Sequence, residues 1–183
     1  KDGLKIYTTI DSRMQRYAEE SVKEHLSSYQ KLFSNQYKGS DIFEKGLGKE
    51  RLALAKRNSD RYRRSKDAGV SNVEIDKNFS TKTKMKVFSW KGQIDTIMTP
   101  LDSIKYHMMF LQTGFMAMDP ENGHIKAWVG GIDFQYFKFD HANINTKRQV
   151  GSTYKPVLYT LAIDNGWSPC ISVPAGTVTI GNW

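Results

Sequence analysis

The sequence predicts an α+β fold in which antiparallel strands pack against helices. Two pairs of β-branched and aromatic runs, at 84–98 and 114–129, are each interrupted by turn residues and indicate hairpins. An apolar stripe with helical spacing follows Asp11, and a polar, helix-patterned stretch fills the middle third. The 183 residues are 39% hydrophobic and 12% aromatic, which is enough to build a core and excludes a disordered chain.

The first segment, residues 1–28, is a predicted strand followed by a helix. Lys5–Ile10 is rich in β-branched and aromatic residues, which is typical of a short strand. The Asp11 side chain is suited to cap the helix that follows. The helix carries apolar residues at every fourth position, and this stripe must pack against another element: Met14, Ala18, Val22 and Leu26.

The second segment, residues 29–98, is predicted to be a basic, mostly helical insertion that ends in a hairpin. Glycines divide its polar helical pieces, and Ser71 with Glu74 has the spacing of a capping box. The hairpin turns at Lys91-Gly92, between two strand-like runs. We expect this segment to fold as a separate lobe.

The excess positive charge lies in this middle segment. Residues 29–92 carry 16 basic and 7 acidic residues, a net charge of +9, whereas the whole chain has +8. The densest run is Lys56–Lys66, which includes a tyrosine. A solvated helix face, a surface that tracks nucleic-acid phosphates, and attraction to an anionic membrane or polymer all explain such a run.

The third segment, residues 99–183, is predicted to be the first and incomplete part of a larger domain. Pro100 stands at the first position of a predicted helix, and Gly123 ends a predicted turn between two strands. In order, these elements are a helix from Thr99, strands at 114–118 and 124–129 around a turn at Asp119–Gly123, an apolar helix from Ser152 to about 165, and a strand at 177–180.

Several kinds of protein are excluded or disfavoured by residue counts. A single cysteine, Cys170, rules out an internal disulfide framework. The four histidines show no metal-ligand spacing, so we expect no metal and no cofactor. No run approaches 18 apolar residues, and the chain begins at Lys1 without a leader, so we expect it to be cut from a longer protein.

A serine and a lysine three residues apart supply the candidate chemistry. On a helix this spacing places both side chains on one face, where a neutral lysine can take the serine proton. The pattern occurs twice, about as often as chance predicts: at Ser28…Lys31 and at Ser152…Lys155. Only Ser152 stands at the start of an apolar helix, and Gly151 before it leaves room for a substrate carbonyl. Alternatively, Ser152 is a plain helix cap and Lys155 a surface charge.

Three blocks in the expected order carry a resemblance to a known family. The run Arg148–Pro156, RQVGSTYKP, and the preceding hairpin at 114–131 resemble the transpeptidase domain of class A penicillin-binding proteins. Tyr7–Glu19 resembles the start of that domain, just after the family's glycosyltransferase domain. The resemblance covers residues 1–28 and about 98–183, and the middle segment resembles the longer insertion of Bacteroidetes-type members.

This resemblance implies the N-terminal part of a penicillin-binding serine transpeptidase fold, and D-alanyl-D-alanine transpeptidation on peptidoglycan stem peptides. Ser152 would be the acylated nucleophile, also for β-lactams, and Lys155 its general base. Gly151, Arg148 and Trp128 are the candidate substrate-binding residues. Arg148 either meets a substrate carboxylate or fixes the loop before the serine, and Trp128 either stacks on substrate or packs under the insertion.

The family requires two later motifs, S-x-N and K-T-G or K-S-G. Neither occurs in the 183 residues, so the sequence departs from the family pattern. We therefore expect an inactive fragment that lacks the C-terminal part of the transpeptidase domain, the glycosyltransferase domain and the N-terminal membrane anchor. The resemblance implies that the full protein works at the periplasmic face of the cytoplasmic membrane.

Two other functions compete with that of a class A peptidoglycan synthase, the enzyme that cross-links stem peptides. A β-lactam sensor domain shares S-x-x-K but signals after acylation, and the block at Tyr7–Glu19 favours the synthase over it. A nucleic-acid-binding module would rest on the +9 segment, but it leaves unexplained why residues 93–183 carry a net charge of −1. We therefore expect no nucleic-acid partner, and salt-dependent DNA binding would contradict this.

Overall fold

A computed structural model describes residues 3–172, 175–177 and 179, which form two compact units, one up to residue 146 and one from residue 147. The predicted α+β class is confirmed. The first unit contains α1 (Ser12–Gln36), α2 (Gly46–Asn58), α3 (Asp60–Asp67), α4 (Asn72–Ser80), β1 (Thr83–Val87), β2 (Ile94–Met98), α5 (Pro100–Met108), β3 (Phe115–Met118) and β4 (Ile125–Val129). The second contains a 3₁₀ turn (Gly151–Tyr154) and α6 (Lys155–Asp164).

Helix α1 packs the middle of its predicted apolar stripe on strand β4, whereas Met14 at the start of the stripe is exposed. Ala18 is buried against Ala127 and Val129, and Val22 and Ala117 close the edges of this cluster. The small side chains allow the helix to approach the strand closely, and α1 continues without a break past residue 28 to Gln36. The first predicted boundary therefore falls inside a continuous helix.

The strand predicted at Lys5–Ile10 is wrong, because these residues form no ladder in the described part of the chain. The segment is tied to the hairpin just before α1, where the Thr9 hydroxyl donates to the Ile125 carbonyl at 2.7 Å and the Asp11 N–H donates to the Lys126 carbonyl at 2.9 Å. Ile6 and Tyr7 are more than four-fifths exposed. Residue preference alone does not make a strand when no partner pairs with its backbone.

Acid is expected to weaken the cap of α1. The Asp11 carboxylate accepts hydrogen bonds from the backbone N–H groups of Met14 and Arg13, and these bonds hold its pKa below the ordinary 3.8. A lowered folded pKa contributes stability above the unfolded pKa, and this contribution is lost as the pH falls through the folded pKa. The Tm of Asp11→Asn, which keeps a capping side chain without charge, should fall less steeply between about pH 6 and pH 3 than that of the unmodified chain. Asp67→Asn at the exposed end of α3 is the control, and an unchanged slope for Asp11→Asn would refute the expectation.

The middle segment contains three helices, and its hairpin forms a sheet of its own. Strands β1 and β2 pair antiparallel, with Val87 opposite Ile94, and Gly92 closes the turn with a φ of 110°. Ile75 and Phe79 of α4 are fully buried. The β1–β2 pair shares no ladder with β3 and β4.

An aromatic cluster joins this segment to the residues that follow it. Phe88 lies after β1 and packs edge-on against Phe110 and Phe137 at centroid distances of 5.0 and 5.3 Å. The Tyr106 hydroxyl of α5 donates to the Phe88 carbonyl at 2.8 Å. The predicted boundary at 98/99 thus lies within one compact unit.

Gln30 ties α1 to the end of α5. Its side chain is only 8% exposed, donates to the Met109 carbonyl at 3.0 Å and accepts from the Leu111 N–H at 2.9 Å. Gln30→Ala would leave both backbone groups without this partner, so we expect it to cost about 2 kcal/mol or more of unfolding free energy in urea titrations. Gln36→Ala, at the exposed end of the same helix, should change stability by less than about 0.5 kcal/mol. Equal losses for the two variants would contradict this role of Gln30.

The hairpin predicted at 114–129 is confirmed. Strands β3 and β4 pair antiparallel from Phe115 opposite Val129 to Met118 opposite Ile125. The Asp119 N–H donates to the His124 carbonyl at 2.9 Å, and Gly123 takes a φ of 73°. Left-handed backbone is open to glycine without strain, so the turn residues chosen from the sequence are the ones that close the turn.

The second unit is short and centred on α6. The predicted end of this helix is confirmed, with Asn165 after the last helical residue and Gly166 at a φ of 85°. Its apolar side chains are mostly exposed, among them Val157, Leu158, Tyr159, Leu161 and Ile163. The strand predicted at 177–180 includes Val178 and Ile180, which lie outside the described residues. Within the described part of the chain, no helix combines the length and apolarity needed to cross a bilayer.

Candidate functional site

The Ser152–Lys155 pair lies where a 3₁₀ turn leads into α6. Gly151 opens the turn with a φ of +50°, a left-handed conformation that favours glycine. Ser152 is the second residue of the turn, and the Lys155 N–H donates to the Ser152 carbonyl. Side chains three residues apart eclipse one another in a 3₁₀ turn, so the hydroxyl and the amine project on one side. The prediction of a helix start is refined here, since Ser152 precedes the α-helix by three residues.

Both side chains are open to solvent. Ser152 and Lys155 are exposed, and neither side chain makes a hydrogen bond or ion pair with another described residue. The Thr153 hydroxyl instead donates to the Val150 carbonyl and holds the turn closed beside them. Arg148 is also exposed and lies three residues before Gly151. The turn therefore places a hydroxyl and an amine on the same side of the backbone.

Trp128, the other candidate substrate-binding residue, belongs to the first unit. It is half-buried on β4, and its indole N–H donates to the Asp140 carboxylate at 3.0 Å. The other oxygen of Asp140 accepts from the Ala142 N–H at 2.9 Å, and the Thr146 hydroxyl donates to the Asp140 carbonyl at 2.7 Å. The tryptophan is thus fixed by the loop that follows β4.

Asp140 orients Trp128, and the sequence alone does not predict this role. The two residues are 12 apart and have no recognisable spacing. A Cβ at Gly130 would lie 2.6 Å from the nearer Asp140 carboxylate oxygen, so glycine is required for this contact. A pair of glycines directly after a strand that carries tryptophan was the available signal.

A cleft of about 830 Å³ lies between α1 and this loop. Trp128 forms part of its wall together with Arg16, Glu19 and Phe134. The cleft belongs to the first unit and contains neither Ser152 nor Lys155. In the described part of the chain, no three His, Cys, Asp or Glu residues are grouped to hold a metal ion, and Cys170 is exposed.

Comparison with known proteins identifies the chain's relatives. Residues 38–111 match the family model described as the penicillin-binding protein middle domain. The chain is 29% identical to penicillin-binding protein 1A of Aquifex aeolicus over 97% of its own length and 25% of the relative's. It is 26% identical to penicillin-binding protein 1A of Vibrio cholerae over 90% of its length and 24% of the relative's. A shorter stretch, 32% of the chain and 8% of the relative, is 48% identical to penicillin-binding protein 2D of Bacillus subtilis.

These comparisons confirm the resemblance to class A penicillin-binding proteins; the Bacteroidetes type stays a prediction. The chain spans about a quarter of the length of the penicillin-binding protein 1A relatives. The matched segment extends from the residues before α2 to just beyond α5, so most of the segment predicted as an insertion falls within the match to the middle-domain model. No solved structure matches the chain significantly.

Proposed function

Because the chain is homologous to class A penicillin-binding proteins over most of its length, we propose that it belongs to a protein that cross-links peptidoglycan by serine acyl transfer. The observation that carries the proposal is the Ser152–Lys155 pair on one side of a 3₁₀ turn, directly after a left-handed glycine. A sensor domain that only becomes acylated is the alternative, and turnover of a stem peptide separates the two.

In the proposed reaction, the Ser152 hydroxyl oxygen attacks the carbonyl carbon of the penultimate D-alanine of a stem peptide. Lys155, in its neutral form, takes the hydroxyl proton. The tetrahedral intermediate collapses when the C–N bond to the terminal D-alanine breaks, and that amine leaves with a proton. The amine of a second stem peptide then attacks the ester carbonyl, the C–O bond to Ser152 breaks, and a proton lost by this amine restores the Ser152 hydroxyl.

The backbone around Ser152 supports this assignment. Gly151 offers no side chain between the serine and an approaching carbonyl, and the first N–H groups of a helix are suited to stabilise an oxyanion. Arg148 is proposed to meet a substrate carboxylate or to hold the loop, and Trp128 to contribute a stacking surface. The hold of Asp140 on the indole keeps that surface in one orientation.

We propose that these 183 residues alone acylate slowly or not at all. A lysine acts as a base only when its ammonium form is disfavoured, which requires burial or neighbouring positive charge. Lys155 is exposed here, and the sequence contains neither S-x-N nor K-T-G to surround it. The complete protein is proposed to add these groups and a glycosyltransferase activity.

The proposed substrate, a peptidoglycan stem peptide, also implies the partners and the location of the complete protein. Stem peptides and covalently bound β-lactams are the ligands of the proposed site, and no metal or organic cofactor takes part in the reaction. Peptidoglycan is assembled outside the cytoplasmic membrane, so the complete protein is placed at its periplasmic face and held there by an anchor.

The test is to map the acylated residue. The complete protein is incubated with a labelled penicillin, digested and analysed by mass spectrometry, and the label is expected on the peptide that contains Ser152. Label on any other residue would refute the site. Release of D-alanine from a stem peptide in the presence of an amine acceptor is expected as well, and acylation without any release would favour the sensor.

A further inference from the structure

The loop after β4 ends in a compact turn at residues 140–146, the clip. The Thr146 hydroxyl donates to the Asp140 carbonyl at 2.7 Å, which joins the last residue of the clip to the first. Between them, the N–H groups of Asn145 and Thr146 both donate to Asn143 at 2.8 Å, one to its side-chain oxygen and one to its carbonyl. Asp140 and Thr146 are half-buried, whereas residues 143–145 are exposed. The bond from Thr146 to Asp140 therefore closes the clip on the side that faces the protein.

The clip is fastened to the ends of both strands of the β3–β4 hairpin. Its His141 N–H donates to the carbonyl of Gly130, which follows β4, at 2.7 Å. A Cβ at Gly114, which precedes β3, would lie 2.6 Å from the Ala142 backbone nitrogen, so the clip contacts the backbone there directly. These contacts fix the clip to the hairpin.

Asp140 links the proposed stacking residue to the end of the clip. Its carboxylate accepts from the Trp128 indole at 3.0 Å, and its carbonyl accepts from Thr146. Thr146 is the last residue of the first unit and stands six residues before Ser152. Residues 147–150, which all belong to the described part of the chain, are exposed and form neither helix nor strand. The clip therefore fixes the point from which a short connection leads to the proposed nucleophile.

We propose that Thr146 is a positioning residue for the acylation of Ser152 and acts through its bond to Asp140, a role that rests on the proposed acyl-transfer function. Holding one end of a short connection removes conformations that the other end could otherwise sample. Because attack on a carbonyl requires close approach in a narrow range of orientations, such a restriction raises the rate of the acylation step. It changes the noncovalent binding of a β-lactam much less, since Thr146 is not proposed to touch the ligand.

The experiment is to follow acylation of the complete protein over a range of β-lactam concentrations. The rate constant at saturation reports the acylation step, and the half-saturating concentration reports noncovalent binding. Thr146→Val replaces the hydroxyl by a methyl group of similar size. It should lower the rate constant about tenfold and change the half-saturating concentration by less than about twofold. Thr146→Ser keeps a hydroxyl that can donate to the Asp140 carbonyl and should retain at least about half of the unmodified rate constant.

Gln30→Ala is the control for a general loss of stability. The bonds of Gln30 lie at the end of α5 and not at the clip. Its replacement should lower the Tm but leave the acylation rate constant within about twofold of the unmodified value. If circular dichroism shows that Thr146→Val does not fold, Thr146→Ala takes its place, because it removes the same hydroxyl with a smaller side chain.

Three results would overturn the positioning role: an unmodified rate constant in folded Thr146→Val, a change confined to its half-saturating concentration, or equal losses in Thr146→Val and Thr146→Ser. A loss in Gln30→Ala as large as that in Thr146→Val would overturn it as well, because lowered stability would then explain both. Failure of the unmodified complete protein to become acylated at Ser152 is a different result, which overturns the proposed function and this role together.

Discussion

Ser152→Ala is expected to abolish covalent labelling of the complete protein by a β-lactam. The substitution removes one oxygen atom, the proposed nucleophile, from a side chain that makes no hydrogen bond with another described residue. The fold should therefore be unchanged, and the loss should come from chemistry alone. Mass spectrometry after incubation with a labelled penicillin measures the result, and the Tm of the variant checks the fold.

Ser28→Ala is the matched control for this experiment. Ser28 also has a lysine three residues later, but it lies in the interior of α1 and not at a turn that opens with a left-handed glycine. Its replacement should leave labelling unchanged. Residual stoichiometric labelling of Ser152→Ala, or loss of labelling in Ser28→Ala, would refute the assignment. The 183-residue chain alone should label very slowly, and rapid labelling would show that its site is complete.

The local features of the fold could be predicted because short segments determine them. Three predicted features each depend on residues that are at most five positions apart, and each is confirmed: the turn at Asp119–Gly123, the turn at Lys91-Gly92 and the helix start at Thr99. Thr99 accepts from the Asp102 N–H at 3.0 Å, as its capping role requires. Such signals combine backbone preference with hydrogen bonding over three or four positions.

Contacts between distant segments could not be predicted in the same way. The Gln15 side chain donates to the Trp128 carbonyl at 2.9 Å and accepts from the Trp128 N–H at 2.7 Å, so a glutamine of α1 serves as a backbone partner at the edge of β4. Gln30 does the same at the end of α5. A glutamine within an amphipathic helix gives no sign of such a role, because solvent-facing glutamines have the same pattern.

The candidate site also combines local features, which the sequence predicts, with contacts between distant residues, which it does not. Ser152, Lys155 and Gly151 are close in sequence, so their placement on one turn followed from spacing. The partner of Trp128 did not follow from spacing. Asp140 reaches the indole through a loop whose course requires glycine at Gly130, beside the Asp140 side chain, and at Gly114, beside the backbone of His141. The opening segment at Lys5–Ile10 is the reverse case, because its residues are strand-forming but, in the described part of the chain, only Thr9 of them bonds to β4 and no ladder forms.

Lys155→Ala is expected to slow acylation of the complete protein by at least ~10²-fold, the scale of a positioned general base. The lysine stands three residues after Ser152 on the same side of the turn, so its amine is the base that the spacing offers to the serine. The rate of β-lactam labelling in a stopped time course measures the effect. Lys31→Ala, at the lysine of the other serine–lysine pair, should label at the unmodified rate.

Lys155→Arg separates the role of a base from the role of a charge. A guanidinium keeps its proton in proteins and cannot accept one from Ser152, although it carries the same positive charge as an ammonium group. If Lys155 is the base, Lys155→Arg should be impaired as severely as Lys155→Ala. Recovery of most of the labelling rate in Lys155→Arg would show that the positive charge suffices, and the proton would then have to leave Ser152 by another group.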